Sequence, residues 1–200
     1  MNDSQLNQNG RQTARLGAAL FVGLLCIAGC RSAGVVVPPP DATVLCVPPV
    51  TTRIYGCGVG ATLAVLRFYG REYGGSLPGR EEAATFRNRR LVSTIEIVRV
   101  LRRHGVSCSL GSFAFEDIVQ DIAAGHPCIV LVPGVFSTFD KLTLSHCWVI
   151  RGIDKRRKTI YYNSPDRGPL AISVCRFKDA WQRGGRIAIR TKGYPGGDDG

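Results

Sequence analysis

The apolar residues of this chain change their spacing near residue 126, and this change constrains the fold more than any other feature. Before it, helical spacing predicts helices over residues 57–68, 93–105 and 115–124. After it, the sequence predicts strands over 128–132, 147–150, 159–162, 170–174 and 186–190, with a short helix over 177–182. Helices followed by consecutive strands indicate an α+β domain, with N-terminal helices packed on an antiparallel β-sheet.

The length of 200 residues leaves room for one such domain with short flanking segments, and is too short for two full-sized domains. We predict a single domain over residues 44–192, because no internal repeat divides this interval. The preceding residues 30–43 contain three consecutive prolines, which predict a stiff tether. The glycine-rich residues 193–200 predict a flexible tail.

The first 29 residues have the pattern of an export signal. Arg11 and Arg15 precede an apolar run over residues 16–28, which small residues close. As a helix this run would rise about 20 Å, short of the roughly 30 Å hydrocarbon core of a bilayer. A charged segment, a short apolar segment and small residues together predict a secretory signal peptide.

The end of that segment resembles the bacterial lipobox, which consists here of Ile27, Ala28, Gly29 and Cys30. The resemblance implies cleavage by signal peptidase II before Cys30 and attachment of diacylglycerol to its thiol. An uncleaved anchor and an ordinary signal peptide are the alternatives. Arg31 and Ser32 follow, without an aspartate at the second position. This favours the outer membrane over the inner one, with the domain lipid-anchored in the cell envelope and facing the periplasm or the exterior.

The formal net charge of +11 raises the possibility of a nucleic-acid partner. Such a partner requires basic residues on one face with interleaved aromatic residues, whereas here the basic groups are scattered over 87–90, 99–103 and 155–158. We therefore expect no nucleic-acid partner. A solvated surface accounts for the charge, and attraction to anionic lipid or cell-wall polymer is the functional alternative.

Two residues carry the candidate chemistry, Cys57 and His146. Cys57 stands between two glycines at the start of a predicted apolar helix, where free backbone N–H groups and the helix dipole lower the pKa of a thiol. His146 begins a predicted strand, where it would be exposed enough to exchange protons. Alone, Cys57 could equally be a small buried residue at a helix start, and a lone histidine is more often structural. A cysteine on an early helix followed by a histidine on a later strand is the order of papain-like thiol hydrolases.

The other cysteines offer no further site. No C-x-x-C spacing occurs, so we expect neither a zinc site nor a cofactor. Cys128 and Cys147 fall in predicted strands and are interpreted as small core residues. One or two disulfides are compatible with an exported protein, but the spacing does not determine their pairing.

Five motifs, in order, resemble the bacteriocin-processing peptidases that remove double-glycine leaders, together with their free-standing relatives. The first has the spacing of that family's active-site helix and comprises Cys57, Gly58, Ala61, Leu63, Ala64, Leu66, Phe68, Tyr69 and Gly70. The others lie within residues 125–132, 146–154, 162–165 and 177–181. The resemblance covers about residues 44–190, which is nearly the whole predicted domain.

This resemblance implies a papain-like fold and a cysteine peptidase that acts on a peptide substrate. Cys57 would attack a carbonyl carbon as the thiolate, and His146 would be the general base. The backbone N–H of Cys57 would help to bind the oxyanion. Since the chain has no room for transmembrane or ATPase domains, an exporter would be a separate protein.

The chain departs from the family at two supporting positions. Thr51 stands where the family has the glutamine that completes the oxyanion hole, and Ser164 stands where it has an aspartate. To orient His146 we favour Asn163, ahead of Ser164 and Asp166, although Asn163 would reach it only if the strand were shifted or had ended. These departures leave two alternatives open: a catalytically impaired domain that binds peptide or cell-envelope polymer, and a scaffold in which Cys57 is only structural.

Overall fold

The computed structural model describes residues 38–51, 56–71, 92–133 and 145–193. Within these residues, four helices pack on a seven-stranded sheet whose strand pairs are all antiparallel. The α+β class predicted from the sequence is therefore confirmed. The predicted signal peptide, Cys30 and most of the tether and tail lie outside the described residues. No helix in the described part is long and apolar enough to cross a membrane.

The helices are α1 (Gly56–Phe68), α2 (Thr94–Arg103), α3 (Phe115–Ala123) and α4 (Val174–Arg183). The strands are β1 (Thr43–Val44), β2 (Ser107–Ser112), β3 (Cys128–Pro133), β4 (Ser145–Asp154), β5 (Thr159–Ser164), β6 (Gly168–Ser173) and β7 (Ile187–Lys192). The sheet order is β2-β7-β3-β4-β5-β6, and β1 pairs with β4 outside this path. Strand β4, which begins next to the candidate histidine, is central to the sheet.

Side chains that alternate along the central strands build a core on each face of the sheet. The core beneath α1 and α2 receives Ile129, Val149 and Ile189. The core beneath α3 and α4 receives Val130, Ile150 and Ala188 from the same three strands. Apolar side chains from the central strands therefore cover both faces of the sheet.

Helix α1 is buried over most of its length, which fixes the position of its first turn. Every residue from Gly58 to Leu66 is buried. A side chain at Gly58 would place its Cβ 3.2 Å from Cδ1 of Ile97, so the glycine permits close packing of α1 against α2. Helix α2 begins with a capping box, in which Ser93 and Glu96 satisfy each other's backbone N–H groups.

The structure contains two strands that the sequence did not predict, β1 and β2. Strand β2 lies at one edge of the sheet and pairs with β7, and of its residues only Cys108 is buried. An edge strand with one buried side chain lacks the apolar alternation on which sequence prediction depends. Strand β1 has two residues and is too short to leave a pattern.

An ion pair beneath α3 joins the helix to the sheet. Arg190 of β7 donates from Nε to Oδ2 of Asp121 at 2.5 Å and from Nη2 to Oδ1 at 2.8 Å. The Asp121 side chain is 6% exposed, and the Cys128 thiol also donates to its carboxylate. A buried carboxylate with this geometry depends on its arginine for charge compensation.

Candidate active site

The candidate nucleophile lies in the first turn of α1. Gly56 adopts a φ of +76°, a conformation that glycine tolerates, and the chain then enters the helix. Cys57 is therefore among the first residues of α1, where backbone N–H groups have no partner within the helix. Its side chain is partly buried against the core beneath α1. This position favours negative charge on the sulfur.

Strand β4 supplies the contacts of the Cys57 sulfur. A hydrogen bond from the Cys147 thiol has the largest effect on the pKa of Cys57 and lowers it, whereas burial raises it. His146 adds a hydrogen bond and a favourable charge interaction, and together these lower the pKa of Cys57 to about 4. Sγ of Cys57 also lies 3.9 Å from the carbonyl oxygen of Ser145. The lowered pKa favours the thiolate form of this candidate nucleophile beside a histidine.

His146 is in turn held by Ser164, the last residue of β5, and by Asp166, in the turn that follows. Its Nε2 lies 3.2 Å from Oδ1 of Asp166 and 3.4 Å from Oγ of Ser164. The Ser164 hydroxyl donates to the same carboxylate oxygen. The contact with Cys57 raises the pKa of His146, burial opposes it, and Asp166 raises it further. The imidazolium form is therefore stabilised next to the thiolate.

Asp166 supplies the negative charge on the side of His146 that its Nε2 faces. Burial acts against its ionisation, but hydrogen bonds from Ser164 and from its own backbone, together with His146, lower the pKa of Asp166. The side chain is 46% exposed, whereas that of His146 is 14% exposed. Solvent therefore reaches the carboxylate more readily than the imidazole.

The expectation that Asn163 orients His146 does not agree with the structure. Strand β5 stays regular through Ser164, so Asn163 pairs with Val149 and shares its face of the sheet, beneath α1. Its Nδ2 donates to the carbonyl oxygen of Val47 at 3.0 Å, and within the described residues its Oδ1 has no partner. Alternation along the strand directs Asn163 away from His146.

Thr51, at the family's oxyanion position, is exposed at the end of a described segment. Residues 52–55, which connect it to α1, lie outside the described residues. Its predicted place beside the oxyanion stays a prediction. The structure does describe the first turn of α1, where the backbone N–H of Cys57 could donate to an oxyanion formed at the candidate nucleophile.

The sequence profile of the Peptidase_C39 like family matches residues 44–189. The chain belongs to this family. Family membership supports a cysteine peptidase of the papain-like type, and it confirms at this level the resemblance drawn from the five motifs. A comparison with curated protein sequences finds no match.

Solved structures share the fold of this C39-like domain. A double glycine motif protease from an AMS/PCAT transporter, in complex with the leader peptide, has a TM-score of 0.53 at 16% identity, covering 74% of this chain and 94% of that one. A C39-like peptidase from Bacillus anthracis has a TM-score of 0.56 at 15% identity, covering 76% and 98%. The peptidase domain of Streptococcus ComA, a bifunctional ABC transporter, has a TM-score of 0.54 at 19% identity, covering 74% and 98%. At these identities the likeness establishes the papain-like fold.

The sequence predicts Cys147 as a core residue, but the structure places it next to Cys57 in the candidate site. Cys147 is buried, as expected of a core residue, but its thiol contacts the candidate nucleophile. A signal was present, because the residue after a strand histidine faces the opposite side of the sheet, where α1 packs. The six cysteines in the described residues are all free thiols. That part of the chain also contains no group of three residues that could hold a metal ion.

Proposed function

We propose that the C39-like domain hydrolyses peptide bonds, with Cys57 as nucleophile, His146 as general base and acid, and Asp166 as the residue that orients the histidine. The main support for this proposal is that His146 hydrogen-bonds both the Cys57 sulfur and the Asp166 carboxylate. Ser164 reinforces it, because its hydroxyl bridges the imidazole and the carboxylate.

The chemistry follows from these contacts. The Cys57 thiolate forms a bond to the peptide carbonyl carbon, and the Cys57 backbone N–H donates to the developing oxyanion. Since Nε2 of His146 faces Asp166, we assign proton transfer to Nδ1. The imidazolium protonates the leaving amine as the C–N bond breaks, and the neutral imidazole then takes a proton from the water that hydrolyses the thioester.

We infer that the substrate is an exported peptide. One solved relative of the same fold is named a double glycine motif protease and was crystallised with the leader peptide. Another is the peptidase domain of an ABC transporter. By analogy, a peptide with a double-glycine motif is the first substrate to test, and a separate exporter is the proposed partner.

The test uses a peptide with a double-glycine motif and a fluorophore–quencher pair on its two sides. The wild-type domain is expected to release fluorescence, and Cys57→Ala and His146→Ala are each expected to abolish it. Cys175→Ala is the matched control, because that thiol is exposed on α4. Cleavage that persists in Cys57→Ala would refute the assigned nucleophile.

The second candidate function is peptide binding without catalysis. It is favoured by Thr51, which lacks the side-chain amide that completes the family's oxyanion hole and is exposed. Loss of one such donor costs about 10²–10³ in rate. If the wild-type domain binds the labelled peptide as tightly as Cys57→Ala does and releases no product, the binding role replaces the peptidase role.

We further propose that the domain is lipid-anchored through Cys30, which the lipobox motif supports. Membrane fractionation tests this, with Cys30→Ser expected to move the protein from the membrane to the soluble fraction. Cys26→Ser, within the preceding apolar run, is the matched control and should remain with the membrane. Retention of Cys30→Ser on the membrane would contradict the anchor.

A further inference from the structure

The active site contains a second sulfur atom that forms no covalent bond in the proposed reaction. Cys147 follows His146 on β4, and its side chain faces α1 while that of His146 faces Asp166. Its thiol donates a hydrogen bond to the Cys57 sulfur, and both belong to the packing beneath α1. Cys57 and Cys147 therefore pack in the same cluster on the α1 face of the sheet, and the Cys57 sulfur lies 3.9 Å from the carbonyl oxygen of Ser145, two residues before Cys147.

The two sulfurs differ in their access to solvent. Cys147 is 5% exposed, whereas Cys57 is only partly buried at the start of α1. A small oxidant from solvent meets Cys57 first, and the ionised sulfur is the form that reacts with peroxides. The hydrogen bond with Cys57 raises the pKa of Cys147, and burial raises it further, so this thiol stays protonated and unreactive until its neighbour is oxidised.

The other described cysteines are placed differently. Cys108 donates to the carbonyl oxygen of Val98, and Cys128 donates to Asp121 on the opposite face of the sheet. Cys46 and Cys175 are exposed. Among these residues, Cys147 is the one whose thiol hydrogen-bonds the nucleophile.

We propose that Cys57 and Cys147 form a reversible intramolecular disulfide when hydrogen peroxide oxidises the nucleophile, which switches the site off and protects it. As regulation of the peptidase, this rests on the proposed function. In the first step the Cys57 thiolate displaces hydroxide from the peroxide and becomes a sulfenic acid. The Cys147 sulfur then attacks the Cys57 sulfur and releases water. Overall, two thiols lose two electrons and one peroxide becomes two waters.

Peptide mapping tests the linkage directly. Trypsin places Cys57 in a peptide of residues 54–67 and Cys147 in a peptide of residues 142–151, each with a single cysteine. After brief treatment of the purified protein with hydrogen peroxide, the expected product is the pair of peptides joined by a disulfide. Dithiothreitol should separate them and restore both thiols. Joining of residues 54–67 to any other cysteine peptide, or no joining, would overturn the proposal.

Variants test the protective role. In Cys147→Ser and in Cys147→Ala, peroxide is expected to convert Cys57 to sulfinic acid, which dithiothreitol does not reverse. Cys128→Ser is the control, because it removes a buried thiol from the neighbouring strand on the opposite face, and it should behave like the wild type. Equal accumulation of sulfinic acid in the wild type and in both Cys147 variants would contradict protection.

These results separate the switch from the peptidase. The masses and thiol counts do not depend on turnover, so a linked pair in a chain that cleaves no peptide would refute the proposed function alone. Peptide cleavage that survives peroxide, without the linked pair, would refute the switch alone.

Discussion

His146 and Asp166 lie opposite each other where β4 and β5 separate, with Nε2 of the histidine 3.2 Å from Oδ1 of the aspartate. The register pairs Val149 with Asn163. If this register is continued by three residues, past the end of β5 and into the turn that follows, His146 stands opposite Asp166, on the same side as Ser164. The carboxylate that we propose as the orienting group thus lies two residues beyond Ser164, which stands at the family's usual aspartate position.

Asp166→Asn is expected to slow peptide cleavage and to change its pH dependence. Loss of the carboxylate removes one of the interactions that raise the pKa of His146, so the alkaline limb of kcat should move to lower pH. We expect a decrease in kcat of roughly 10², as for a displaced acid–base group. Asp179→Asn, at an exposed position on α4, is the matched control. An unchanged alkaline limb would exclude Asp166 as the orienting residue.

If the thiolate–imidazolium pair is the active form, as we propose, kcat should depend on pH in a bell-shaped curve. The acid limb should lie near the Cys57 pKa of about 4, because activity requires the thiolate. The alkaline limb should lie above the ordinary histidine pKa of about 6.5, because the pKa of His146 is raised and activity falls when its proton is lost.

Alkylation by iodoacetamide measures the acid limb without a substrate. The peptide of residues 54–67 reports Cys57, and the peptide of residues 168–176 reports Cys175 as an exposed control. His146→Ala should move the midpoint for Cys57 to higher pH, because a hydrogen bond and a charge that favour the thiolate are lost. If Cys57 reacts no faster than Cys175 in acid, the assigned thiolate is wrong.

Asn163→Ala is expected to lower stability and to leave the nucleophile unaffected. The variant leaves the Val47 carbonyl oxygen without its partner and should reduce the free energy of unfolding by about 1–3 kcal/mol. Urea unfolding measures this change. The alkylation midpoint of Cys57 should match that of the wild type. A shifted midpoint at unchanged stability would restore Asn163 as the residue that orients His146.

The contrast between Asn163 and Asp166 shows which parts of the candidate site can be predicted from the sequence and which cannot. Helix α1 was predictable, and Cys57 and His146 could be identified as candidates, because their patterns are local: an apolar helix with glycine at its start, and a histidine near the start of a strand. The residue that orients His146 depends on where β5 ends and on its register with β4, and no local pattern specifies either. For the same reason the sequence identified Cys147 as a core residue without its contact to the nucleophile.

Thr51→Gln tests whether a missing oxyanion donor limits the rate. A glutamine amide at the family's position should increase kcat by at most about 10², since removal of one such donor costs about 10²–10³. KM should change little, because the interaction forms in the transition state. Thr43→Gln, at an exposed position in β1, is the control. If kcat does not rise, Thr51 does not lie at the oxyanion.

The ion pair between Arg190 and Asp121 is expected to support the fold and not the chemistry. Arg190→Met leaves a buried carboxylate without its arginine, which should cost about 3–5 kcal/mol of unfolding free energy in urea denaturation. The double variant Arg190→Met with Asp121→Leu should recover much of that loss, because an apolar pair leaves no charge to compensate. The pair packs beneath α3, on the face opposite α1, so folded Arg190→Met should keep the wild-type alkylation midpoint of Cys57. A shifted midpoint would instead mean that this ion pair positions β4 for catalysis.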